Sequence, residues 1–218
     1  MFHLIKKDVL IQKRALKLSV LLMLFFTATL SSLGSIGIVV GIFAITYQLV
    51  LGASALEEKN NSDVILISLP IKRNTIVLSK YVSVYVYAAF AMAGFYLVYL
   101  MVNLLNIPLR IHLRGQLFLV ALIAVTFFSC ICLPLTFKYG YTKAKMPNLV
   151  IFLLFVFGGT GIVNYLRSSN QTLLSQAVAT FLSTRSCLEI SLAVAGGLAL
   201  VLVFSYFTSL FFYKKREW

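Results

Sequence analysis

The sequence is poor in charged residues and poorer still in acidic ones. Of its 218 residues only 11% are Asp, Glu, Lys or Arg, and only six of these are acidic. A soluble domain carries about 25% charged residues. The chain is instead 61% hydrophobic, with a mean hydropathy of +0.97. This composition excludes a soluble globular protein, because too little polar surface is present to cover the apolar one, and predicts lipid as the solvent.

Residues for catalysis, metal binding or nucleotide binding are also scarce. No Gly-rich loop ends in Lys-Ser or Lys-Thr, so we expect no ATP hydrolysis by this chain alone. The two histidines, His3 and His112, are predicted on opposite sides of the membrane and cannot share a metal ion. The three cysteines are an odd number, and we interpret Cys130 and Cys132 as small core residues. We therefore expect neither a catalytic site nor a cofactor or metal site here.

The acidic residues near the membrane have plain interpretations. Glu57 and Glu58 resemble the paired glutamates of intramembrane proteases, but the Arg and His partners of such a site are missing at span depth. No charge lies in the middle of a predicted span, which argues against a transporter driven by protons or sodium. Glu189 follows Arg185 by four residues, and we expect the two to form an interfacial ion pair on one helical face.

Five long runs contain no charged residue: 18–56, 81–109, 115–137, 146–166 and 190–213. A helix crosses the hydrocarbon layer with about 20 residues, so each of the last four runs fits one crossing. The first run is long enough for two, and small turn-forming residues interrupt it at Ser31, Ser32, Gly34, Ser35 and Gly37. We predict six spans, at 18–33, 36–55, 81–102, 117–137, 147–166 and 190–213.

The basic residues support this division and explain the net charge of +13. Six spans with both termini in the cytoplasm place 15 of the 19 Lys and Arg residues inside, and leave Arg110, Arg114, Arg167 and Arg185 outside. A single crossing by 18–56 would leave 9 inside and 10 outside, without the usual bias. We therefore predict an all-α, multi-pass protein of the cell membrane, and anionic lipid rather than nucleic acid as the partner of its charge.

Two segments outside the spans have amphipathic patterns. In 1–17, Phe2, Ile5, Val9 and Leu16 share one helical face while five basic residues crowd another. This predicts an interfacial helix, with a simple basic anchor as the alternative. In 167–187 apolar pairs recur every four residues, which predicts an external helical segment before the last span. The pattern leaves open whether this segment enters the bilayer. The chain is otherwise one transmembrane domain over 1–218.

The connector over 57–75 has a more specific pattern. Asn60 to Asp63 offer helix N-cap chemistry, Val64 to Leu69 form a short apolar stretch, and Pro70 ends it. Lys72 and Arg73 then form a basic corner before the third span. A short apolar helix outside the membrane needs a surface to pack against. The alternatives are a partner protein and the chain's own bundle.

The same connector resembles a known family. The resemblance rests on three strings in order: Glu58-Lys59-Asn60, then 62–73 with Ser68-Leu69-Pro70-Ile71-Lys72-Arg73, and then Ile76-Val77-Leu78-Ser79-Lys80-Tyr81. With these strings the chain resembles the small six-span permeases of ABC exporters of the second type. These include the permeases of the phenol-soluble modulin exporter. Ile71 stands where the family usually has Val. The N-terminal Ile5-Lys6-Lys7-Asp8 is similar too, and beyond these parts the likeness is one of architecture.

The resemblance implies a mechanism that the composition did not show. The connector would carry a coupling helix that docks on a separate ATPase subunit, which binds the ATP and Mg²⁺. The implied contact residues are Asp63, Val64, Leu66, Ile67, Leu69, Pro70, Lys72 and Arg73. Two permease copies, identical or related, would alternate between inward and outward states. Hydrophobic or amphipathic peptides are the substrates that the resemblance implies.

Two other classes of protein remain as alternatives at this point. One is a membrane immunity or sensor protein that binds antimicrobial peptides without transporting them, for which the 57–73 region would be dispensable. The other is a channel-like or scaffold protein, which would work alone and line a polar pore that the spans do not display.

Overall fold

The structure is a computed structural model, and it describes residues 2–30, 33–60, 62, 72–105, 115–168 and 187–215. These residues form six helices. The helices are α1 (Phe2–Ile11), α2 (Lys13–Leu30), α3 (Ser35–Lys59), α4 (Arg73–Leu104), α5 (Gly115–Ser168) and α6 (Cys187–Lys215). Four stretches are long and apolar enough to cross a membrane: Ile36–Lys59, Arg73–Leu104, Gly115–Gly161 and Ala193–Lys215. The all-α class is confirmed, while the count of six spans and their orientation stay predictions.

The long first apolar run is divided between two helices, as its small residues predicted. Helix α2 ends at Leu30 and α3 begins at Ser35. Gly34 between them has a φ of 60°, a conformation that favours glycine. A Cβ atom at Gly37 would overlap the carbonyl oxygen of Leu30. The turn is therefore tight because both positions lack a side chain.

Helix α5 is a hairpin of two helical arms, and its 54 residues do not form one rod. Gly140 breaks the helix, with a φ of 76° and a ψ of 170°. The ring centroids of Phe127 and Phe155 are 5.8 Å apart, although a straight helix would separate these residues by about 42 Å. Asn148 Nδ2 also donates to Thr136 Oγ1 across the turn, at 3.2 Å. The chain therefore reverses at Gly140, between a first arm (115–139) and a second arm (141–168).

The hairpin turn is shorter than the sequence predicted. We expected the fourth span to end at 137 and the fifth to begin at Pro147, with a connector between them. In the structure Gly140 is the one non-helical residue within α5. The lysine-rich stretch after Gly140 is helical because, as shown below, a side chain from α3 caps its first amides.

Helix α3 lies at the centre of the bundle, between α2, α4 and both arms of α5. One core cluster joins α3, α4 and α5 and includes Phe43, Val77 and Phe128; the other joins α2, α3 and α4 and includes Met23, Ile42 and Tyr87. Gly41 permits close packing, since a Cβ atom there would lie 2.6 Å from the Phe95 ring. Cys130 and Cys132 are free, buried thiols, in agreement with their interpretation as core residues.

Helix α6 is held to the bundle by polar contacts and by Leu202, Tyr206 and Tyr213, which pack against the core, and it exposes apolar side chains on its outer face. The Tyr81 hydroxyl lies 2.6 Å from Ser205 Oγ and 2.9 Å from Ser209 Oγ. Ser205 Oγ also donates to the Cys130 carbonyl at 2.7 Å. The outer face of α6 exposes Leu200, Phe204, Phe207 and Phe211. An apolar face of this kind suits contact with lipid or with another membrane protein.

The predicted N-terminal helix over 1–17 is divided in the structure. Helix α1 ends at Ile11, and residues 13–17 form the start of α2. Gln12, at the junction, is fully buried, and its Nε2 donates to the Leu49 carbonyl of α3 at 2.6 Å. Asp8 of α1 is buried as well. Helix α1 is thus fixed to the bundle through polar contacts that the amphipathic pattern did not indicate.

Candidate functional site at the basic end of the bundle

The helix termini that flank the 57–75 region meet at one end of the bundle. Lys7–Glu57 joins α1 to α3, and Lys80–Asp8 joins α4 to α1. Glu58–Tyr141 joins α3 to the Gly140 turn, and Arg73–Lys214 joins α4 to the C-terminus of α6. Apart from Arg167, the lysines and arginines of the described ranges belong to this end. We call it the basic end.

A cluster of four charged side chains, of which the two carboxylates are buried, lies at the centre of the basic end. Lys7 Nζ is 2.8 Å from Glu57 Oε1 and 3.5 Å from Asp8 Oδ1. Lys80 Nζ contacts Glu57 Oε2 and lies 3.2 Å from Asp8 Oδ2. Ser83 Oγ donates to Asp8 Oδ2 at 3.0 Å. We call Lys7, Asp8, Glu57 and Lys80 the ionic cluster; it connects α1, α3 and α4.

The ionic cluster is electrically balanced and shielded from solvent. The side chains of Asp8 and Glu57 are 2% and 7% exposed, and those of Lys80 and Lys7 are 14% and 28% exposed. Burial raises the pKa of the Asp8 carboxyl above its ordinary value, although the charge of Lys80 opposes this effect. Removing one member leaves a buried charge without its partner, which is far more costly than the loss of a surface pair.

Glu58, next to Glu57, caps the second arm of the α5 hairpin. Its Oε2 accepts hydrogen bonds from the backbone amides of Tyr141, at 2.6 Å, and Thr142, at 3.1 Å. Its Oε1 accepts a further bond from the Thr142 hydroxyl. A helix N-terminus has unpaired amides and a partial positive charge, so a carboxylate stabilises it. The cap of this arm is therefore supplied by α3, and it ties the end of α3 to the hairpin turn.

A small cavity separates the cap from the ionic cluster. It has a volume of about 40 Å³, and its lining includes Glu57, Glu58, Lys80, Thr136 and Tyr141. A space of this size has room for water molecules but not for a larger ligand. Within the described ranges no three His, Cys, Asp or Glu side chains come close enough to hold a metal ion. The contacts around this cavity therefore link the ends of α1, α3 and α4 to the second arm of α5.

Of the predicted contact residues, the structure describes the last two. Asp63, Val64, Leu66, Ile67, Leu69 and Pro70 lie outside the described residues. Lys72 has an extended backbone and precedes α4, and its carbonyl accepts a bond from Thr75 N at 2.9 Å. Arg73 is the first residue of α4, and its Nη1 donates to the Lys214 carbonyl at 3.1 Å.

The boundaries of the predicted connector differ from those of the helices. Residues 57–59 belong to the last turn of α3, and 73–75 belong to the first turn of α4, so the segment between the helices is 60–72. The other predicted pair involves Glu189, an exposed residue in the first turn of α6. Its proposed partner Arg185 lies outside the described residues, as does most of the 167–187 segment.

Sequence reasoning missed the ionic cluster, although two signals were present. Only six acidic residues occur in the chain, and Asp8, Glu57 and Glu58 are three of them. Asp8 and Lys80 also lie inside the short strings on which the family resemblance rested. An acidic residue beside an apolar span is costly to bury without a partner. A protein that keeps so few acidic residues and places them there therefore indicates that each has a partner of opposite charge.

Comparison with known proteins identifies the family. Residues 3–214, nearly the whole chain, match the family model described as ABC-2 family transporter protein. No curated protein and no solved structure matches the chain. The membrane components of this family work with an ABC ATPase subunit. The apolar helices of this chain and the extent of the match show that it is a multi-pass membrane permease component of an ABC transporter and belongs to the ABC-2 family.

Proposed function

We propose that the chain is the permease subunit of an ATP-driven exporter, and that a separate ATPase subunit docks on the 60–72 segment. The ATPase binds ATP and Mg²⁺, and two permease copies, identical or related, form the translocation unit. The observation that carries the proposal is the ionic cluster, because it joins α3 and α4, which flank this segment, to each other and to α1. The exporter subtype is that of the phenol-soluble modulin permeases.

The contacts of the basic end provide a route for force from the docking segment into the bundle. Glu57 lies just before the segment, and Lys80 lies two turns after α4 begins. A push on 60–72 therefore displaces α3 and α4 as a linked pair, together with α1. Glu58 extends the same link to the second arm of α5. Movement of the ATPase would therefore reach α1, α3, α4 and α5. This route does not require the 60–72 segment to be rigid.

The exported molecules are hydrophobic or amphipathic peptides in this proposal. An apolar groove of about 250 Å³ lies at the end of the bundle opposite the basic end, between α3 and both arms of α5. Its lining includes Val40, Phe43, Val120, Phe155 and Thr160. A groove without charged residues accepts an apolar side chain more readily than a polar solute.

The first test is co-purification of a tagged chain from its native membrane, followed by an ATPase assay. We expect a stoichiometric ATPase subunit, and we expect Leu66→Glu with Leu69→Glu to remove it, because both leucines belong to the apolar stretch 64–69 of the sequence. Lys143→Glu is the matched control, since Lys143 is exposed at the same end of the bundle but on the hairpin. The control should retain the ATPase.

The outcomes separate the proposal from its alternatives. An ATPase that stays bound to the double variant would place the docking site elsewhere. A preparation without any ATPase, from cells that still resist antimicrobial peptides, would favour the immunity or sensor protein. Ion conduction by the purified chain in liposomes would favour the channel.

A further inference from the structure

Helices α4 and α6 enclose a second apolar groove, which opens at the side of the bundle. The groove has a volume of about 320 Å³ and is lined by Leu78, Tyr81, Val82, Tyr85, Leu202, Val203 and Tyr206. Leu78 and Val203 remain 39% and 53% exposed. The permease function proposed above does not use this groove. The shape and the lining of the groove indicate which kind of molecule would bind there.

The groove is apolar because its tyrosines turn their hydroxyl groups away from it. Tyr81 pairs with Ser205 and Ser209, and Tyr85 donates to Thr126 Oγ1 at 3.4 Å. A polar ligand would therefore find no free hydroxyl from these two tyrosines. A hydrocarbon chain would contact ring faces and aliphatic side chains throughout the groove.

Cations surround the end of this groove that lies nearest the basic end. The hydroxyl of Tyr206, which lines the groove, donates to the Asn74 carbonyl at 3.4 Å. The neighbouring Arg73 contacts the carbonyl of Lys214, which places the start of α4 beside the end of α6. Lys72, Arg73, Lys214 and Lys215 are exposed here. The salt bridges that the structure records between described residues all belong to the ionic cluster, and none of them involves these four cations.

The distance between the cations and the groove matches one half of a bilayer. From Leu202 to Lys214 helix α6 rises about 18 Å. The hydrocarbon layer is about 30 Å thick, so one leaflet contributes about 15 Å. A lipid headgroup at Lys214 would thus place its acyl chain along the groove.

We propose that the α4–α6 groove and its four cations form a binding site for one anionic phospholipid of the leaflet at the basic end. The phosphate group lies between Arg73 and Lys214, and an acyl chain fills the groove between Val82 and Val203. Charge complementarity selects this occupant, because four exposed cations at the mouth of an apolar groove match a negative headgroup on a hydrocarbon tail. The site holds the start of α4 against the end of α6.

The test is native mass spectrometry of the intact chain in detergent, with phosphatidylglycerol or phosphatidylcholine of identical acyl chains as the probe. We expect one phosphatidylglycerol to bind at least fivefold more tightly than phosphatidylcholine, roughly the effect of one basic residue at a membrane surface. Lys214→Glu should abolish this preference, whereas Lys145→Glu, the same charge change on the hairpin, should preserve it.

A second pair of variants tests the groove independently of charge. Val203→Trp fills the groove and should weaken binding of both lipids, whereas Val201→Trp, outside the lining, should not. Equal affinity for the two lipids, equal effects of Lys214→Glu and Lys145→Glu, or equal effects of the two tryptophans would each overturn the proposal. It would also be wrong if Val203→Trp converted a dimer to a monomer with unchanged lipid binding, because the groove would then be an interface between copies.

Discussion

Replacement of Lys80 by Met tests whether the ionic cluster works as a unit. Lys80 contacts both buried carboxylates, Asp8 and Glu57, whereas the more exposed Lys7 lies at the edge of the cluster. The methionine keeps the length of the side chain but leaves two carboxylates with one cation. Loss of one partner from a buried ion pair costs about 3–5 kcal/mol. We expect a loss of this size in the free energy of unfolding.

The balance of charge gives a sharper expectation for the double variant. Glu57→Gln alone leaves an excess positive charge and should also cost about 3–5 kcal/mol. The combination of Lys80→Met and Glu57→Gln restores neutrality, since Lys7 and Asp8 remain paired. The double variant should therefore be about 2–3 kcal/mol more stable than the sum of the single losses, within the range for residues in contact.

Unfolding by sodium dodecyl sulfate in mixed micelles measures all three variants on one scale. Lys6→Met is the matched control, because Lys6 is exposed on the same helix α1 and takes part in none of the salt bridges recorded between described residues; the loss of an exposed charge costs about 1 kcal/mol or less. Losses that add without any coupling would refute the argument, since the two charges would then act independently. A Lys80→Met variant as stable as the control would show that the site is not closed to water.

Three further predictions concern the Glu58 cap, the Asp8 carboxyl and the orientation of the chain in the membrane. Glu58→Ala should cost about 0.5–2 kcal/mol, the usual range for an N-cap, and hydrogen exchange should rise at the amide of Thr142; unchanged exchange there would contradict the cap. Because the pKa of Asp8 is raised in the folded protein, the wild type should gain stability relative to Asp8→Asn as the pH falls from the raised value toward the ordinary one. An unfolding series across pH 7 to about 4, in steps that span the ordinary Asp range, measures the difference, and parallel curves would count against it. In a cysteine-free background, a cysteine at position 169 should react with an impermeant reagent outside the cell and one at Asn74 should not; the reverse pattern would invert the predicted orientation.

The helices themselves were largely predictable from the sequence, because their signals are local. The division of the first run followed from the small residues around Gly34, which the structure places in a tight turn. The break between the fourth and fifth predicted spans followed from the lysines around Gly140. Its length was not predictable, because the helix after Gly140 depends on a cap from Glu58, a residue 83 positions away from Tyr141.

The partners of the ionic cluster were not predictable from local patterns. Lys7 and Glu57 are separated by 50 positions and Lys80 and Asp8 by 72, so no periodicity joins them. The amphipathic pattern of 1–17 assigned Lys7 to a solvated face and gave no role to Asp8.

Stability alone is a weak reason for a protein to bury two carboxylates and pair them with lysines. Apolar residues of similar volume often replace a buried ionic group with no loss, or even a gain, in stability. Ionic contacts differ from apolar ones in their strict geometry, so they hold helices in a defined register and release them abruptly when that geometry is lost. The ionic cluster lies where α3 and α4 meet the segment that joins them, and the Glu58 cap lies one residue further along. In the proposed exporter, which alternates between two states, links of this kind would lie at the place where the ATPase acts. This location favours a role for Asp8, Glu57 and Lys80 in coupling over a role in stability alone.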